Sequence, residues 1–184
     1  MARLQREAWV EAGFAALCEA GVEDVRINPL CARLGVTKGS FYWHFTSRDA
    51  LLHALLEVWE QQGTESIITA VDGADTTAAQ RVELLITTVF AEDPQTDRIE
   101  PAIRAWAAND ENAAAVVARV DERRLAYVRD LLVATGLSRA VATHRSALVY
   151  RALIGEFTWR SHGGPPLSKR ALAQLGRMVL DHDG

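Results

Sequence analysis

Long apolar runs are absent from this 184-residue chain, and no stretch approaches the roughly 18 apolar residues that a membrane span needs. Its first residues, Met-Ala-Arg-Leu-Gln-Arg-Glu, turn amphipathic at once. They hold neither the apolar run nor the small-residue cleavage site of a signal peptide, so a cytoplasmic protein with no membrane partner is expected. Cysteine is scarce. Cys18 and Cys31 each sit among apolar neighbours in a helical pattern and read as small buried hydrophobes. A redox pair needs basic neighbours to hold a thiolate, and neither thiol has an evident cluster of them. No segment alternates with period two for long enough to demand a strand. Catalytic patterns are missing too. The five histidines (His44, His53, His144, His162 and His182) show no metal-ligand spacing such as H-x-x-x-H, and there is neither a G-x-S-x-G elbow nor a phosphate-cradling glycine loop. The terminal Asp181-His182-Asp183 reads as a charged chain end rather than a metal site. No enzyme activity, metal or cofactor is expected.

What remains is helix almost throughout, and an all-α fold of about nine helices is expected. Helix one covers about 3–20 with an apolar stripe of Trp9, Ala12, Phe14, Ala16 and Leu17, closed by Gly21. Asn28 and Pro29 read as N-cap and first residue of helix two, which runs to Leu34. Gly35 breaks it, Thr37 caps a short third helix over 38–44, and Ser47 caps a fourth that runs to about Ala70. Thr77-Ala78-Ala79-Gln80 has the form of a capping box. Further helices are expected over about 98–108, with Pro101 in the first turn, then 110–134, 138–160 and 168–180. The division expected is between residues 1–46, a small three-helix unit, and 47–184, a larger helical domain.

Charge is unevenly spread. Between Val25 and Arg48 stand Arg26, Arg33, Lys38 and Arg48 with no Asp or Glu, so the rest of a chain of net charge −4 carries −8. A basic island on an acidic protein can bind phosphate locally. Within that window two short helices joined by a glycine turn have the form of a helix-turn-helix. Leu30, Cys31, Leu34, Val36, Phe41 and Phe45 are expected to face inward. The other face of the third helix then presents Lys38, Gly39, Tyr42, Trp43 and His44, with Ser40 beside the first turn. Such a mixture of aromatic, basic and hydroxyl groups suits a major groove.

The run GVTKGSFYWHFTSRDALL resembles the signature of the tetracycline-repressor (TetR) family over about residues 6–56. The resemblance implies a dimeric regulator that binds a double-stranded DNA operator through Arg26, Thr37, Lys38, Gly39, Ser40, Tyr42, Trp43, His44 and Arg48. It makes Tyr42 and His44 phosphate contacts, and Lys38, Ser40 and Trp43 readers of base edges. Two departures stand out. Arg26 occupies a position where the family commonly has threonine, and the few residues before helix one leave no basic arm for the minor groove.

For the larger domain the resemblance implies homodimerisation through the last two helices and a cavity for an unidentified small-molecule effector. The stretch 138–160 is apolar on a broad face (Val141, Leu148, Val149, Leu153, Ile154, Phe157), with small residues at Ala147, Ala152 and Gly155. Trp106 and Arg104, close together on a short helix, are the first ligand-binding candidates, followed by Phe90, Tyr127 and Tyr150, with Trp159 as a further wall. The expected function is a ligand-responsive transcriptional repressor of an inverted-repeat operator. A DNA-binding protein without an effector, and an enzyme on a borrowed helical scaffold, are the competing readings.

Overall fold

The computed structural model describes residues 5–181. Its elements are α1 (Arg6–Ala20), α2 (Ile27–Leu34), α3 (Lys38–His44), α4 (Arg48–Glu60), α5 (Ser66–Asp72), α6 (Ala78–Val89), α7 (Thr96–Ala107), α8 (Glu111–Ala134), α9 (Arg139–Ser161) and α10 (Lys169–Leu180). A π-turn over Gln61–Glu65 carries α4 into α5 without a break, so nine helices are counted among the described residues. The all-α expectation holds, as do the caps at Ser47, Ser138 and Ser168 and the reciprocal box of Thr77 and Gln80. His182 and Asp183 of the terminal acidic end lie outside the described residues, as does the start expected for helix one. No helix among the described residues is long and apolar enough to cross a membrane.

Two element boundaries differ from expectation for local reasons. Helix α2 begins at Ile27, with extended Arg26 as its N-cap and no side-chain cap, rather than at Pro29 behind Asn28. Pro29 is then the third helical residue, where its missing N–H leaves one fewer orphan donor. Helix α7 begins at Thr96, which places Pro101 inside the helix rather than in its first turn. Asp93 makes the early start possible. Its carboxylate accepts from Gln95 N (3.1 Å) and Thr96 Oγ1 (2.6 Å), and its carbonyl accepts from Asp97 N (2.9 Å).

Packing divides the chain into two compact units: residues 1–61 with 98–117, and 62–97 with 118–184. The boundary expected at residue 46 follows function, whereas packing places α4 and part of α7 with the helix-turn-helix. In the first unit the expected stripe of α1 is buried, and Gly13 allows a close approach, since a Cβ there would lie 3.0 Å from Leu55 Cδ2. From α7 come wholly buried Ile103 and nearly buried Glu100, whose carboxylate accepts from Trp59 Nε1 at 2.8 Å.

The second unit closes around Val71, Leu85, Ile86, Phe90, Leu132, Leu153, Phe157 and their neighbours. Buried Arg160 ties it together by donating to the Phe90 (3.0 Å) and Ala91 (3.3 Å) carbonyls at the end of α6. Its Nη2 lies 2.7 Å from Asp97 Oδ1 but is poorly aligned for a hydrogen bond, so that contact is chiefly Coulombic. Burial pushes the Asp97 carboxyl above its ordinary range, and Arg160 opposes the shift. From α8, Arg124 donates to Thr64 Oγ1 (2.8 Å) and the Gly63 carbonyl (3.2 Å), while Arg123 pairs with Glu65. These bonds hold the π-turn in shape; a Cβ on Gly63 would stand 3.0 Å from Arg124 Nη2.

Tyr127 OH donates to Asp72 Oδ1 at 2.8 Å. Burial first, and this bond to a carboxylate second, push the phenol well above its ordinary value of 10. A raised folded-state pKa means the stabilisation is complete below pH 10 and is lost as pH climbs toward the folded value. Tyr127→Phe is therefore expected to cost about 1 kcal/mol at neutral pH. It should also flatten the decline in stability at strongly alkaline pH, both effects being read by urea unfolding.

Candidate nucleic-acid interface

Helix α2 ends on Gly35, whose left-handed backbone (φ 65°, ψ 33°) suits glycine and turns the chain sharply into α3. Gly35 N donates to the Ala32 carbonyl, and Val36 N to that of Cys31. Leu30 and Cys31 are buried, while Leu34 and Val36, expected in the core, are half-buried. Cys18 is half-buried as well, and burial pushes its thiol up, away from the thiolate that redox chemistry needs.

Phe41 determines how α3 lies. It is completely buried, edge-on to Trp9 with ring centroids 5.3 Å apart, and Phe45 follows it inward one turn later. With one side of a seven-residue helix committed to the core, the residues a quarter-turn away must face out. Tyr42 is 56% and Trp43 70% exposed, beside exposed Thr37, Lys38 and Gly39. Ser40 and His44 are half-buried at the edges of that face. Thr37 stands at the N-cap position of α3, yet its side chain makes no capping bond.

Five of the expected DNA contacts are on this face, with Ser40 and His44 at its margin; Arg26 and Arg48 adjoin it across a groove. The groove, of about 510 Å³, is lined by Arg26, Ile27, Asn28, Pro29, Lys38, Tyr42 and Arg48. Three of these, Ile27, Asn28 and Pro29, were not anticipated. Their signal in the sequence is only that they follow Arg26 directly; the start of α2 at Ile27 then sets them along the groove.

The positive charges of the window are less free than their number suggests. Arg26 pairs with Asp24 at 2.7 Å, and Arg33 pairs with Glu19; both acids lie just outside the acid-free stretch. Arg48 donates through Nε to the Val25 carbonyl (2.7 Å) and through Nη2 to the Val22 carbonyl (2.6 Å). Lys38 alone of the four has neither an acid nor a carbonyl partner among the described residues. It lines the same groove as Tyr42, which puts its ammonium in reach of a phosphate there as well as of a base edge.

The ligand-binding candidates fall in different units. In the first, Trp106 is buried and bonds Asp110, while Arg104 donates to Glu100 Oε1 through Nε (3.0 Å) and Nη2 (2.8 Å). The acceptor that a half-buried arginine requires is thus supplied by the chain, one helical turn away, and the i, i+4 spacing of Glu100 and Arg104 is its signal in the sequence. In the second unit Phe90 is core, Tyr127 bonds Asp72, and Tyr150 donates to Asp121 Oδ1 at 2.6 Å. Trp159, expected as a wall, is instead 58% exposed. No group of three or more His, Cys, Asp or Glu side chains among the described residues is placed to hold a metal ion.

A glycine-turned helix pair with an exposed aromatic and basic second helix defines a helix-turn-helix protein. Residues 10–55 match the family described as Bacterial regulatory proteins, tetR family, and in this segment the chain is similar to members of that family. It is 42% identical over 57 residues to the class C tetracycline repressor protein of Escherichia coli, and 38% identical over 55 residues to the class D protein of the same organism. These matches take in 31% and 30% of this chain but only 26% and 25% of those repressors. The whole fold is similar to a putative TetR-family transcriptional regulator from a Rhodococcus species, with TM-score 0.66, 24% identity and 95% of each chain covered. It is also similar to the transcriptional regulator FadR of Bacillus subtilis, solved in complex with stearoyl-CoA: TM-score 0.68, 16% identity, 96% of each chain.

The bonds of Arg48 predict a structural cost. Arg48→Ala removes two donors from half-buried carbonyls and should destabilise the chain by about 1–3 kcal/mol in urea unfolding. Unchanged stability would show that the guanidinium is free for another partner.

Proposed function

We propose that the protein is a transcriptional repressor in the cytoplasm that binds an inverted-repeat, double-stranded DNA operator as a homodimer and responds to a small-molecule effector. The observation that carries this reading is the outward face of α3, where Tyr42 and Trp43 stand exposed beside Lys38 and a groove edged by Arg26 and Arg48. Against DNA these exposed aromatics supply contact area. Residues 1–46 act as the reading unit and 47–184 as the effector and dimer domain. Thr37, Tyr42 and His44 hold phosphates, with Arg26 and Arg48 at the groove, and Ser40, Trp43 and Lys38 face base edges across the bare backbone of Gly39.

Dimerisation is supported by an apolar stripe on α9. Leu148 (68% exposed), Ala152, Gly155 and Trp159 share one side of that helix, and Met178 is exposed on α10. An effector is supported by the stearoyl-CoA complex of the fold neighbour FadR. The candidate contacts for one are Trp106 and Arg104, and separately Phe90, Tyr127 and Tyr150.

Selecting bound sequences from a random DNA pool tests the reading. An inverted repeat is the expected product, and a pool that remains random would overturn it. On the selected operator, Tyr42→Phe and His44→Ala should weaken binding by the same factor as on random DNA, because phosphate contacts position without specifying. Loss confined to the operator would make them base readers. Lys38→Ala measured on both DNAs assigns that amine to a phosphate or to a base edge in the same way.

Gly155→Glu tests the dimer. A Cβ at this position meets nothing within 4 Å in the protomer, so the substitution is tolerated by the fold and acts only on what covers the stripe. Monomers are expected in analytical ultracentrifugation, and a variant that stays dimeric would place the interface elsewhere.

A further inference from the structure

We propose that Asp97 is a proton-operated clasp: ionised, it weakens the junction of α6, α7 and α9, and on taking up a proton in mild acid it lets that junction close more firmly. All the residues involved belong to the second packing unit, and the clasp operates whether or not the protein binds DNA. Three parts of the chain meet at the Arg160 guanidinium. Its Nη1 donates to the Phe90 and Ala91 carbonyls at the end of α6, and its Nη2 lies against Asp97 in the first turn of α7. Its Nε stands 4.0 Å from Glu156 Oε1, one turn back on α9. That Glu156 oxygen also accepts from Leu167 N at 2.8 Å, which ties in the connection from α9 to α10.

Charge at this junction does not balance. The groups acting on Asp97 are Arg160 and Glu156 from α9, and Asp93 and Glu92 from the connection between α6 and α7, so three carboxylates repel it and one guanidinium attracts it. The attraction is also poorly realised. Asp97 Oδ1, Arg160 Nη2 and Arg160 Nε are all buried without a hydrogen-bond partner, so the water that both ions gave up is not replaced. A neutral Asp97 escapes both penalties. Burial, helped by the neighbouring acids, accordingly pushes its carboxyl above the ordinary value of 3.8, against the pull of Arg160.

Opening the junction puts Asp97 in water at its ordinary value, so the closed form binds the proton more tightly. Firmness from this source is complete below pH 3.8 and is lost as pH rises through the closed-state value. Asp93 acts in the other direction. The bond from Thr96 Oγ1 holds its carboxyl below 3.8, so what it contributes is lost only in stronger acid. The range between about pH 4 and 7 therefore reports on Asp97.

Amide exchange of the full chain, corrected for the intrinsic effect of pH, reads the junction at Asp97 N, which donates to the Asp93 carbonyl at 2.9 Å. Its protection should rise as pH falls from about 7 to about 4, by up to about tenfold per unit. Asp97→Asn, neutral at every pH, should be as protected near neutrality as the parent is in acid, with no dependence across the range. Glu156→Gln keeps an oxygen for Leu167 N and removes one repelling charge, so its rise should begin at lower pH than in the parent. Protection in the parent that falls in acid would overturn the proposal, because the attraction between Asp97 and Arg160 would then be what holds the junction closed. A flat profile in the parent overturns it too, as does a rise that survives in Asp97→Asn. The parent's profile decides by itself, whether or not a variant folds.

Discussion

Phe41 has no surface in contact with solvent, and its ring meets that of Trp9 edge-on. Helix α3 has only seven residues, too few to bury more than one side, so committing Phe41 and Phe45 to the core fixes the orientation of everything else on it. Tyr42 and Trp43 are turned outward by that choice, and Gly39 and Lys38 are placed beside them. Trp9 in turn is held because α1 lies close to α4 at Gly13, where a larger residue would collide with Leu55. The reading face is therefore a consequence of core packing. A substitution at Phe41 would disturb it more deeply than one at any residue the face presents.

The same logic governs charge. A count of basic residues between Val25 and Arg48 suggests a strongly positive patch, but folding brings Glu19 to Arg33 and leaves Asp24 against Arg26. Arg48 satisfies two carbonyls of the turn between α1 and α2, so it holds the position of α2 rather than standing free. What distinguishes the window is the exposed face itself, where Lys38, Tyr42 and Trp43 stand side by side.

The parts of this architecture legible in the sequence are those written locally. Capping at Ser47, Thr77, Ser138 and Ser168 depends on residues three apart, and the turn at Gly35 on one glycine. Inward Phe41 and outward Trp43 follow from helical spacing alone. The parts that were not legible depend on partners far along the chain. Nothing near Gly63 announces a π-turn, because its carbonyl and the Thr64 hydroxyl are satisfied by Arg124, about 60 residues on. The ion pair of Arg33 reaches back 14 residues to Glu19. Arg104 is the instructive intermediate case. Its partner Glu100 is visible at helical spacing, and their pairing within the chain takes the acceptor role that a ligand would otherwise fill.

For the DNA-binding role proposed above, this distribution has a consequence. Non-specific affinity comes from cations that neutralise phosphates and release counterions, each adding to the steepness of the salt dependence. Here the chain outside the window is acidic, and two of the window's four cations are compensated by carboxylates. Such a surface supplies little sequence-independent attraction, and the acidic remainder opposes approach by its own repulsion. Affinity for a particular site must then rest to an unusual degree on close, short-range contact by α3, where shape and apolar complementarity act and salt does not.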